Sequence, residues 1–120
     1  MNRDQIRFAI QSLLIITTVL HFAEAFVKQT SPTAGGLMIY GIIYGALAIW
    51  FIRTPSDKPG PVMGAVIACA TGLVLGGAGA FITGGSSALW AMLAIDVVII
   101  LIGLWWLRLR RRALGIGVRR

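Results

Sequence analysis

Histidine and cysteine are almost missing from this chain: one of each occurs in 120 residues, His21 and Cys69. A lone cysteine excludes an internal disulfide and a cysteine-only metal site within one chain, and a lone histidine excludes bis-histidine haem ligation. Cys69 lies in the middle of an apolar run and reads as a small buried hydrophobe. Charge is scarce too, at 12% of residues, with only Asp4, Glu24, Asp57 and Asp96 on the acidic side. One His and two carboxylates, without a second His or a recognised ligand spacing, predict no metal site. There is no Ser-His-Asp grouping with loops to build around it. The glycines lie in helical runs rather than in a phosphate cradle after a strand, so no catalytic residues are expected and the chain reads as non-enzymatic.

What is abundant is apolar surface. Hydrophobic residues make up 58% of the chain and the mean hydropathy is +0.86, more than a soluble domain of this size can hide. Four apolar runs, about 6–27, 36–52, 62–83 and 88–107, are separated by short turns. A helix rises ~1.5 Å per residue and the hydrocarbon layer is ~30 Å thick, so each run is long enough to cross it. The expected fold is all-α: an integral membrane four-helix up-down bundle over residues 1–107, with a basic cytoplasmic tail at 108–120. Arg3, Arg7 and Ala23-Glu24-Ala25 loosely imitate a signal peptide with its cleavage site. The run is long enough to span and a glutamate occupies the would-be site, so a retained transmembrane helix is expected.

Basic residues set the orientation, because cytoplasmic flanks carry the excess of Lys and Arg. Arg3 and Arg7 begin the first run, Arg53 and Lys58 occupy the second turn, and Arg108, Arg110, Arg111, Arg112, Arg119 and Arg120 follow the fourth. With both termini cytoplasmic, only Lys28 of the eleven basic residues lies outside. Trp50, Trp105 and Trp106 fall at the inner boundary and Trp90 at the outer one, where amphipathic rings prefer to sit. The net charge of +7 is mostly the tail; the remaining chain has five basic and four acidic residues, which does not describe a nucleic-acid binder. The arginines from Arg108 to Arg112 are expected to anchor the chain on anionic membrane lipids or to dock an acidic partner, with Gly115 and Gly117 loosening the last residues. Compact loops favour the plasma (inner) membrane of a prokaryote.

The turns carry their own signals. Pro55, Pro59 and Pro61 interrupt the chain between the second and third runs, and Pro61 suits a first helical turn. Ser86 or Ser87 is expected to cap the fourth helix. The third run holds the strongest pattern: Gly64, Ala68, Gly72, Gly76, Ala80 and Gly84 recur every four residues, and Gly41 and Gly45 repeat the spacing in the second. Small residues at this interval let two backbones approach closely in lipid. The ridge serves either packing within the chain or contact with another subunit, a second copy, or a flat lipid-like molecule.

Ionisable groups within hydrocarbon cost about 2.5 to 3.5 kcal/mol each on insertion scales, which makes His21, Glu24 and Asp96 functional candidates. His21 and Glu24 are three apart and share one helix face, which Thr17 and Lys28 extend. Counted from the outer helix ends, Glu24 lies ~5 Å deep, His21 ~10 Å and Asp96 ~13 Å, and Tyr40 and Tyr44 reach similar depths. The spacing allows His21, Glu24, Tyr44 and Asp96 to converge in a small cavity. Three functions follow as expectations. The first is an accessory or scaffold subunit packing into a larger membrane assembly through the ridge. A proton- or cation-coupled carrier working through Glu24, Asp96 and His21 is the second, and a binder of a lipid or hydrophobic cofactor such as a quinone or carotenoid is the third. No particular cofactor is legible in the residues.

Overall fold

The computed structural model describes residues 2–29 and 34–115. Within them are four α-helices: α1 (Arg3–Val27), α2 (Ala34–Arg53), α3 (Gly60–Thr83) and α4 (Ser87–Leu114). All four are long and apolar enough to cross a membrane. The surface matches that solvent, since Phe81 and Ile82 are 87% and 84% exposed while the buried set includes charged side chains.

Local chemistry fixes the helix ends. Asn2 accepts from Gln5 N–H and the Gln5 side chain accepts from Asn2 N–H, a reciprocal pair that starts α1. Ser86 caps α4 by accepting from Leu89 N–H at 3.1 Å. Gly84 and Gly115 close α3 and α4 with φ of 86° and 73°, a conformation that side chains other than glycine's resist.

Two expectations are corrected here. The fourth helix does not stop near residue 107; it continues to Leu114, so Arg108, Arg110, Arg111 and Arg112 are helical rather than part of a loose tail. Leu107 and Leu109 still pack on the core, and Arg111 and Arg112 complement the negative end of the helix dipole. Gly117, Arg119 and Arg120 lie outside the described residues. Trp106 does not present its ring to the surroundings, as an amphipathic belt residue does: it is wholly buried, in one core cluster with Ile6, Ile10 and Phe51. Its indole N–H has no hydrogen-bond partner among the described residues.

The glycines decide how closely the helices approach. A Cβ on Gly41 would stand 3.1 Å from the Phe22 ring, and one on Gly45 would stand 3.4 Å from the Thr18 methyl, so α2 lies tightly on α1. Gly64 meets Leu47 and Trp50 of α2, whereas Gly76 meets Leu93 of α4. Gly103 of α4 is closer still, with a Cβ there falling 2.6 Å from Val66. Ala68 packs against the core and Ala80 is buried, while Gly84 sits in the turn. Most of the ridge therefore faces this chain's own side chains.

Candidate functional site

The polar side chains gather around a cavity of about 240 Å³ at the end of the bundle that carries the α1–α2 and α3–α4 turns. All four helices contribute to its wall. His21 and Glu24 come from α1 and Lys28 from its C-terminal cap, Tyr40 and Leu37 from α2, Gly72 and Gly76 from α3, and Asp96 with Met92 and Leu93 from α4. On the α3 side the wall is glycine: a Cβ on Gly72 would crowd Asp96 and Tyr40 at 3.3 Å and one on Gly76 would stand 3.0 Å from Leu93, whereas one on Gly79 meets nothing within 4 Å. Most of the lining is apolar, with a few polar groups held in place, as in small-molecule sites generally.

Each polar group is oriented by a partner. His21 Nδ1 lies 2.7 Å from the Thr17 carbonyl and 3.2 Å from Thr17 Oγ1. A carbonyl can only accept, so Nδ1 carries the proton and donates; in the neutral ring this makes Nε2 an acceptor. The Tyr44 hydroxyl donates to Asp96 Oδ1 at 3.0 Å, and the Cys69 thiol sits beside the same carboxylate. Tyr40 donates to Thr71 Oγ1 at 3.0 Å, and Thr71 in turn donates to the Ala68 carbonyl. Glu24 accepts from the Ser86 hydroxyl and pairs with Lys28 Nζ at 3.7 Å. The rings of His21, Tyr40 and Tyr44 pack together, with His21 and Tyr44 edge-on at a centroid distance of 5.0 Å.

The structure thus brings His21, Tyr44 and Asp96 into one connected group. Glu24 lines the same cavity, but its bonds run to Ser86 and Lys28 rather than to Asp96. Tyr44 is fully buried behind the wall and acts through its bond to Asp96. Beyond Asp96, Leu14, Cys69 and Ile99 have no exposed surface. Among the described residues no group of three or more His, Cys, Asp and Glu side chains is arranged to hold a metal ion.

No family model, curated protein or solved structure matches this chain. The cavity's own chemistry is therefore the basis for function.

Sequence reasoning missed two residues that hold this arrangement. Ser86 reads as a helix cap, and it is one, yet its hydroxyl also donates to Glu24 across the bundle. Arg7 reads as a flank charge, but only 6% of it is exposed. Its guanidinium donates to the carbonyls of Phe51, Thr54 and Lys58 and stacks 4.9 Å from the Phe51 ring centroid. Those carbonyls belong to the end of α2 and the turn after it, where a helix leaves acceptors without intrahelical partners. The only sequence signal for this role is that Arg7 falls inside the apolar periodicity of α1, between Ile6 and Ile10.

Proposed function

We propose that this chain is an up-down four-helix bundle of a prokaryotic plasma membrane, with both termini cytoplasmic, that binds a small amphipathic molecule in the cavity among its helices. The observation that carries the reading is the cavity itself: about 240 Å³, bounded by all four helices, mostly apolar, with His21, Glu24 and Asp96 in its wall. Burying two carboxylates and a histidine in such surroundings is costly, which favours a binding role for them over simple packing. Orientation is supported by the placement of Arg3, Arg7, Arg53, Lys58 and the α4 arginines away from the cavity end. On this reading the cavity opens toward the extracytoplasmic side.

A scaffold subunit drew its support from the Gly/Ala ridge, and Gly64, Gly72 and Gly76 already approach side chains of this chain. A coupled carrier is the second reading, favoured by the ionisable wall. Transport needs a route past Asp96, and the packed residues beyond it favour binding.

Gly36→Trp tests the binding reading. Gly36 lines the cavity and a Cβ there meets nothing within 4 Å, so an indole fits the helix and fills the opening. Native mass spectrometry of gently purified wild type is expected to find a stoichiometric small molecule that the variant loses while retaining its helical circular dichroism. An empty wild-type protein from native membranes, or equal occupancy in the variant, refutes it.

A further inference from the structure

The inference concerns the chemical class of the cavity's occupant, and it rests on reading the cavity as a binding site. Nearly every polar group on the wall is already a committed donor or a pure acceptor. His21 Nδ1 gives its proton to Thr17, so what remains of this 93% buried side chain is Nε2, with no partner among the described residues. The Tyr40 and Tyr44 hydroxyls have given their protons to Thr71 and Asp96. Two carboxylates complete the set. A ligand offering only acceptors, such as a quinone carbonyl, finds no free donor on this wall except the Lys28 ammonium at its edge, and Lys28 is paired with Glu24.

Charge narrows the class further. Lys28 balances Glu24, and His21 in its neutral form contributes none. Asp96 is left with neutral partners, Tyr44 and Cys69, and among the described residues no basic side chain pairs with it. With Asp96 ionised, the balance in the cavity is one negative charge, on a side chain only 2% exposed that shares the wall with an unfilled acceptor. A buried carboxylate of this kind is best matched by a cation that also supplies hydrogen bonds.

We propose that the occupant is an organic monocation bearing N–H donors, a protonated amine on a compact apolar body. Its ammonium group hydrogen-bonds Asp96 and His21 Nε2, and its body lies against Leu37, Met92 and Leu93. Specificity of this type arises because the unmatched ligand leaves polar groups without partners. A quaternary ammonium carries the charge but no N–H, and an alcohol carries a donor but no charge, so the two requirements separate experimentally.

The test is isothermal titration of wild type in lipid nanodiscs with three probes on one framework: 2-phenylethylammonium, its N,N,N-trimethyl analogue and 2-phenylethanol. The primary amine is expected to bind at least tenfold more tightly than either of the others, and Asp96→Asn to remove its advantage over the alcohol. An alcohol or a trimethyl analogue that binds as tightly as the amine overturns the proposal, as does an advantage unchanged in Asp96→Asn. The wild-type ranking decides the class even if that variant does not fold. Gly36→Trp separates the two levels. If all probes bind equally and lose binding in Gly36→Trp, the cavity is a binding site and the cation preference is wrong; if no probe binds, or if Gly36→Trp binds them as wild type does, both readings fail.

Discussion

Tyr44 carries two tasks at once. Its ring fills the core at 0% exposure and its hydroxyl donates to Asp96. Tyr44→Phe keeps the volume and removes the donor, so it is expected to lower stability by about 1–3 kcal/mol, measured by denaturant unfolding in detergent. Arg7 is comparable at the opposite end. Because its planar group reaches three carbonyls, Arg7→Lys is not expected to restore the stability lost in Arg7→Ala, a loss of about 1.5–3 kcal/mol by the same measurement. At this scale the sequence was half legible. The cost of placing His21, Glu24 and Asp96 in apolar runs marked them from their residue types alone. Which oxygen meets which hydroxyl depends on helix rotation, and no local pattern encodes that; hence Ser86 and Arg7 went unread.

Helix spans followed from apolar length, and the start of α4 from Ser86; the cap at Asn2 and the stops at Gly84 and Gly115 emerged only with the structure. The extension of α4 was harder to see because arginines mimic an unstructured flank, while the helix is held by Leu107 and Leu109 on its inner face. The ridge of α3 was visible as a spacing, but its direction was not. Gly103 had no spacing to reveal it, being a single glycine in an apolar run, yet it makes the tightest approach between α3 and α4. Gly103→Ala forces Val66 to move and is expected to destabilise the bundle by about 1–3 kcal/mol. Gly77→Ala, where a Cβ meets nothing within 4 Å, is the matched control and is expected to leave the unfolding midpoint unchanged or slightly raised.

For the molecule as a whole, orientation is testable with the chain's own cysteine as a silent background. Cys69 is buried and should resist labelling in intact cells. A membrane-impermeant maleimide is expected to label Ser87→Cys in intact cells and Arg112→Cys only after permeabilisation; the reverse pattern would invert the bundle. The carrier alternative also lives at this scale. Liposomes holding the purified chain should show no proton or cation flux that Asp96→Asn abolishes, whereas such a flux would make the cavity a way-station on a path.

The length of α4 joins the two ends of the molecule. At ~1.5 Å per residue its 28 residues reach roughly 42 Å, beyond the ~30 Å of a typical hydrocarbon layer. Near its far end Arg110 Nε donates to the Asp57 carbonyl, and Asp57 sits in the turn joining α2 to α3. Those are the helices whose exposed residues Gly36 and Leu75 border the cavity. A thinner bilayer is met by tilting a helix that is too long for it, and tilting α4 drags that turn sideways. If the cavity binds a ligand as proposed, this linkage predicts that bilayer thickness alters the spacing of α2 and α3, and that affinity differs between short-chain and long-chain phosphatidylcholine nanodiscs.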